Sequence, residues 1–297
     1  MRNAVQVLMS HAVDYAGLFP PAALSMQEAV RNYAQYARGA DAWMLGRFIL
    51  PATRLPEFAT ALEANCCAER ERPWMLSLLA SADREADIAA MQNFTSGLAF
   101  LDALELRADS AQQAAQQVED TLSAYPTQIT RFVECSAEAL PHILPVLHKH
   151  KAHAKIRTGG VTAEAIPGIE AVADFLLACA QAGVACKATA GLHHALRGEY
   201  PLTYEPGAPT AVMHGFLNVL AASLLAQAQA SREELLMALA STSAAEFTWT
   251  PATFRWREHR FTHSQIEAAR QHGLISFGSC SFTEPVETLA QAMKETA

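Results

Sequence analysis

The sequence predicts a TIM-type (β/α)8 barrel or a close seven-stranded relative, with an N-terminal arm and a late insertion. Three observations predict it. Strand-like and helix-like stretches alternate from Trp43 to Thr189, with strand starts roughly 25 to 30 residues apart, the spacing of consecutive β-α units. Six such strands run in succession, enough to favour closure over an open sheet. The strands are largely apolar and end in small residues, as strands covered by helices do. The 297 residues suffice for this one core. Residues 1–40 read as an arm and capping helix, and 41–297 as a single barrel domain with an irregular segment over 197–263.

Ser10–Ala22 is apolar but broken by Gly17, Pro20 and Pro21, so an ordered irregular arm is expected there. Ser25 and Glu28 stand in capping-box spacing and start a helix over Met26–Arg38. Trp43–Leu50 is the first strand, ended by Pro51, and a helix over Leu55–Cys66 leads to strand Trp74–Leu79. Helix Asp83–Asn93 then precedes strand Leu101–Arg107, and helix Ser110–Ala124 precedes strand Ile129–Cys135. Helix Ala137–His150 leads to strand Ala154–Thr158, and helix Ala165–Ala182 to strand Val184–Thr189.

After Gly191 the rhythm weakens. Arg197–Pro209, with Tyr200, Pro201, Tyr204, Pro206 and Gly207, reads as a loop that lines or covers the barrel mouth. Helices are expected over Ala211–Ala228 and Ser231–Ser241. Phe247–Thr250 and Phe254–Arg257 flank Pro251 as a small hairpin outside the barrel. Ser264 caps a helix to His272, Leu274–Phe282 is a final strand, and Pro285–Thr296 a closing helix. Seven strands are thereby placed, with the Phe247 segment as the candidate for an eighth.

Hydrophobic residues make up 51% and charged residues 18%, which argues against disorder. A net charge of −8 argues against nucleic acid as a partner. The six cysteines (Cys66, Cys67, Cys135, Cys179, Cys186 and Cys280) form no Cys-x-x-Cys pair, so a reducing cytoplasm is the expected location. Cys66-Cys67 offers a redox pair or an inert helix end. No apolar run resembles a signal peptide or a membrane span, and no membrane partner is expected. Trp249, Phe254 and Trp256 supply either a homo-oligomer surface or a packed hairpin.

In a parallel barrel one face of each strand meets the helices and the other points inward, its C-terminal end lining the mouth. Leu104 and Leu106 belong to the helix side, which turns Glu105 and Arg107 inward. Val133 and Cys135 leave Glu134 inside, Ile156 leaves Lys155 and Arg157, and Cys186 and Ala188 leave Lys187 and Thr189. Arg47 holds the same place on the first strand. Five cations against two carboxylates give a mouth of about +3, and such an excess implies an anionic guest or partly solvated side chains. Arginine suits bidentate contact with carboxylate or phosphate. The structural alternative makes Glu105–Arg107 and Glu134–Lys155 internal ion pairs.

Small residues stand at three strand ends: Thr158-Gly159-Gly160, Ala190-Gly191 and Gly278-Ser279-Cys280-Ser281. They offer backbone N–H groups to a phosphate or simply make turns. His193, His194 and His214 lie near the mouth, and with Glu134 they raise the alternative of a divalent metal. No His-x-His or His-Glu-x-x-His spacing supports it, so no cofactor is assigned. A histidine acting as general acid or base fits better.

The stretches Asp14–Pro21, Lys155–Gly160, Lys187–His194 and Phe277–Phe282 together resemble a bacterial (β/α)-barrel family that brings no activity with it. The two lysine strands are also similar to those of deoxyribose-phosphate aldolase, a class I aldolase. There a Lys-x-x-Thr-Gly strand carries the Schiff-base lysine, and a Lys-Ala-x-Gly-Gly strand carries a lysine that tunes it. Lys155 with Thr158-Gly159 matches the first, and Lys187-Ala188 with Ala190-Gly191 the second. The earlier strands offer Glu105 and Glu134 in place of an inward aspartate.

The expected function is a barrel enzyme acting on a small anionic carbonyl metabolite, as a lyase or aldolase. Lys155 or Lys187 would form an imine, Glu134 or Glu105 would shuttle protons, and Arg107 and Arg157 would hold the carboxylate or phosphate. Without a covalent step, both lysines would stay protonated and stabilise an oxyanion. The alternatives are a phosphoribosyltransferase-like or metal-dependent barrel enzyme, and a non-catalytic anion-binding sensor.

Overall fold

A computed structural model describes residues 3–65, 72–108 and 114–296. The Cys66-Cys67 pair and the first residues of the helix expected from Ser110 lie outside the described residues. The chain opens with α1 (Ala4–Met9), whose start is fixed by a reciprocal Asn3–Gln6 capping box. It passes directly into β1 (Val13–Tyr15), then α2 (Met26–Arg38) and β2 (Leu45–Pro51). The alternation continues with α3 (Leu55–Asn65), β3 (Trp74–Leu79), α4 (Arg84–Asn93) and β4 (Ala99–Arg107). Next come α5 (Ala114–Ala124), β5 (Thr130–Glu134), α6 (Leu140–His150), β6 (His153–Arg157), α7 (Ile169–Gln181) and β7 (Cys186–Thr189).

A hairpin of β8 (Gly198–Pro201) and β9 (Thr210–Met213) interrupts the rhythm, followed by α8 (Phe216–Gln227) and α9 (Arg232–Ala240). Three antiparallel strands then form a separate sheet: β10 (Phe247–Trp249), β11 (Thr253–Trp256) and β12 (His259–Thr262). The chain ends with α10 (His263–His272), β13 (Leu274–Ser279) and α11 (Thr283–Glu295).

Among the described residues, eight parallel strands close a barrel in the order β1-β13-β7-β6-β5-β4-β3-β2. This is the TIM-type architecture expected from the sequence, with one correction. The eighth strand is β1, inside the expected arm, and the Phe247 segment belongs to the outer sheet. The prolines that argued against a strand lie just beyond it. Val13 to Tyr15 are all buried, and β1 pairs with Phe277–Ser279 on one side and with β2 on the other. Only Ala16–Leu24 remains irregular, and it crosses the barrel mouth.

The late insertion also differs in detail. The long loop expected over Arg197–Pro209 is mostly the first arm and turn of the β8–β9 hairpin. The helix expected from Ala211 begins at Phe216, because Thr210–Met213 pairs with β8. Helix α8 is buried along its whole length between the barrel and neighbouring helices, which explains its apolar composition on every side. The outer sheet packs inward: Phe247, Phe254 and Trp256 are fully buried, and Trp256 Nε1 donates to Ser241 Oγ at 3.1 Å. Two of the aromatics offered as an oligomer surface are therefore core residues. Tyr15, Tyr33, Phe48, Phe58 and Trp74 form an aromatic cluster that locks α2 and α3 onto the first three strands.

Candidate active site

Alternation along the strands turns Asp14, Arg47, Glu105, Phe132, Glu134, Lys155 and Lys187 into the barrel, where the six charged residues form one polar network. Lys187 Nζ lies 2.6 Å from both Asp14 Oδ2 and Glu105 Oε1, with its side chain fully buried. Lys155 Nζ lies 2.7 Å from Glu105 Oε2 and 2.9 Å from Glu134 Oε2. Glu105 thus bridges the two lysines, which are opposite partners on β6 and β7. Arg47 lies 3.8 Å from Asp14 and forms a close pair with Asp102.

Hydroxyls complete the network. Ser276 Oγ donates to Asp14, and Ser77 Oγ to Glu105, each at 2.7 Å. The Lys187 ammonium also sits 5.4 Å from the centre of the Phe132 ring. Each buried charge therefore has partners, without which it would cost several kcal/mol. Burial alone would raise the Glu105 carboxyl, but Lys155 and Lys187 hold it well below the usual carboxylate range. Burial would lower the Lys155 ammonium, and Glu105 and Glu134 reverse this and keep it above the usual lysine range.

Above this network, a cavity of about 460 Å³ opens at the C-terminal ends of the strands. Lys155, with 7% of its side chain exposed, borders it together with Glu105 and Glu134. Arg107 and Arg157 are exposed at its rim, and Arg157 Nε donates to the Gly159 carbonyl at 3.1 Å. The adjoining wall, after the ends of β7 and β13, carries His193, His194, Cys280 and Glu284, and the β8–β9 hairpin brings Pro201, Leu202, Thr203, Tyr204 and Met213. Ala16, Phe19, Pro20 and Pro21 reach over from the segment after β1. The expectation that Arg197–Pro209 lines the mouth thus holds for its central residues.

The expected site residues divide into three groups. Glu105, Arg107, Glu134, Lys155, Arg157, Gly160, Thr189, His193, His194 and Gly278 border the cavity. Arg47 and Lys187 lie in the network without bordering it, and Ser279 stands behind the wall with its Oγ 3.3 Å from His193 Nδ1. Thr158, Gly159 and His214 do structural work. Thr158 Oγ1 donates to the Ala190 carbonyl at 2.7 Å, while His214 is fully buried with Nε2 2.8 Å from the Pro167 carbonyl. A Cβ on Gly159 would stand 2.8 Å from the Gly191 Cα, and one on Gly191 would stand 2.9 Å from the Gly159 Cα. These glycines let two strand-end turns touch, and Gly191 also borders the cavity.

Three features lay beyond sequence reasoning. Asp14 supplies an inward aspartate from the first strand, and Asp102 of β4 adds a fourth carboxylate. With these two the five cations face four carboxylates, and Glu284 on the cavity wall is a fifth, so the expected +3 becomes zero before His193 is counted. The third is a cluster just after the ends of β7 and β13. His193 Nδ1 is 2.9 Å from Glu284 Oε2, and His193 Nε2 is 3.9 Å from Cys280 Sγ. Tyr204 OH donates to Glu284 at 2.9 Å.

No group of three His, Cys, Asp or Glu side chains among the described residues is arranged to hold a metal ion. No helix of the described residues is long and apolar enough to cross a membrane. No protein-family model, curated protein or solved structure matches the chain.

Proposed function

We propose that the chain is a barrel enzyme acting on a small carbonyl compound that carries a carboxylate or phosphate, as a lyase of the aldolase kind. The observation that carries the reading is the position of Lys155. It is the interior lysine that borders the cavity, and two carboxylates hold it in its charged form. A fixed ammonium at this place stabilises the oxyanion that develops when a bond next to a carbonyl is broken or made. Glu134, with 18% of its side chain exposed against 1% for Glu105, is the carboxylate better placed to carry a proton to or from substrate. Arg107 and Arg157 at the rim receive the anionic substituent. Lys187 and Asp14 act beneath as positioning residues that fix Glu105.

A second reading, the lysine imine, is favoured by the pairing of Lys155 with Lys187 on adjacent strands. It requires Lys155 to pass its proton to Glu134 before attacking the carbonyl. The test is to incubate the protein with a small-metabolite extract and identify retained compounds by mass spectrometry. Retained compounds should combine a carbonyl with a carboxylate or phosphate, and retention only of neutral or cationic compounds would refute the proposal. Borohydride added to the same mixture separates the two readings. A reduced adduct mapped to Lys155 selects the imine, and retention without an adduct selects the charged lysine.

A further inference from the structure

We infer that Cys280 is a second reactive group of this cavity, a nucleophilic thiol activated by His193 that takes up an acyl group from a small ester or thioester. The inference stands on the His193–Cys280–Glu284 cluster and does not rest on the role given to Lys155. Cys280 follows β13 and borders the cavity, whereas Cys179 and Cys186 are buried without bordering it. His193 follows β7 and meets Cys280 with Nε2 at 3.9 Å from Sγ. Its Nδ1 faces Glu284 Oε2 at 2.9 Å, so the Nδ1 proton goes to the carboxylate and the Nε2 lone pair is left toward the thiol. Nucleophile, base and orienting carboxylate thus stand in the order that acyl transfer uses.

Burial alone would lower the His193 imidazolium, but Cys280 and Glu284 push it up to about 9. From the β8–β9 hairpin, Tyr204 OH lies 3.6 Å from Cys280 Sγ, and with its own proton given to Glu284 it faces the thiol as an acceptor. The other titratable groups around the cluster are Tyr15 of β1 and His194 beside His193. Helix α11 begins three residues after Cys280.

In the step itself, His193 Nε2 takes the Cys280 proton and Sγ bonds to the acyl carbon. The bond to the leaving alcohol or thiol breaks, and that group takes the proton from His193. Water then attacks the acyl-enzyme and gives a proton to His193, which returns it to Sγ as the acid departs. Atoms and charge balance with water as the only co-reactant. Glu284 and Tyr204 act as positioning residues.

The test is alkylation of the full chain by iodoacetamide at about pH 7, with the rate at each cysteine read by peptide mass mapping. Cys280 should react roughly tenfold faster than Cys135, Cys179 and Cys186, and His193→Gln should remove most of that advantage. Equal rates at Cys280 in wild type and His193→Gln would overturn the inference. p-Nitrophenyl acetate should acetylate Cys280 or be hydrolysed with release of p-nitrophenol that is lost in Cys280→Ser. Absence of both the acetyl group and a Cys280-dependent release would overturn acyl transfer.

Discussion

Glu105→Gln is the substitution whose cost follows most directly from the geometry. One carboxylate takes Lys187 at 2.6 Å and Lys155 at 2.7 Å, and both lysine side chains are at least nine-tenths buried. At an effective dielectric near 20, the attraction across such a gap is about 6 kcal/mol gross, and desolvation offsets much of it. Breaking a buried pair by removing one partner costs about 3–5 kcal/mol net. Lys187 keeps Asp14 and Lys155 keeps Glu134, so the variant should still fold.

At this chain length, each kcal/mol lowers Tm by about 2 °C, so a fall of roughly 6–10 °C is expected at neutral pH by scanning calorimetry. The pH dependence has a definite sign. Glu105 is held below its unfolded value, so its stabilisation is complete above about pH 4.3 and is lost as pH falls below that. The gap between wild type and variant should therefore narrow in acid. A fall under about 2 °C at pH 7 would refute the claim that this carboxylate holds two buried charges.

Other outcomes follow from the same structure. Lys187→Met should lose about 3–5 kcal/mol, because Asp14 is left in the barrel without its closest cation, and denaturant titration reads this. Gly191→Ala should lose about 1–3 kcal/mol, since its φ of +78° and the nearby Gly159 Cα both oppose a Cβ; an unchanged midpoint would contradict this. His193 is raised from about 6.5 to about 9, so it contributes up to about 3 kcal/mol below pH 6.5 that is lost as pH rises through 9. The stability difference between wild type and His193→Gln should follow that course, and a difference constant between pH 6 and 10 would argue against it.

Much of the site was legible because the charges interrupt apolar strands. Lys155 alternates with Ala154 and Ile156, and Lys187 with Cys186 and Ala188, so each had to point away from the helix layer. Asp14 was not legible, because its strand is only three residues long and the two prolines that follow read as part of the same segment. The signal available was the apolar run Ala12–Tyr15 around a single acid. Cys280 and Glu284 meet His193 across 87 and 91 residues, and only closure of β13 against β7 brings them together. His214 was drawn into the site because the helix after it was read too early. It lies in the turn between β9 and α8, facing Pro167. Gly159 and Gly191 carried a turn signal that sequence alone could not separate from an anion cradle.

The central claim is that the charged Lys155 meets the substrate, and comparing wild type, Lys155→Arg and Lys155→Met for retention of anionic carbonyl compounds tests it most directly. An ammonium contact to a charged or developing oxygen is worth about 1.5–3 kcal/mol, so Lys155→Met should bind roughly 10- to 100-fold more weakly. Lys155→Arg should keep most of the affinity. Equal retention by all three proteins, each checked to be folded by its thermal transition, would contradict the account.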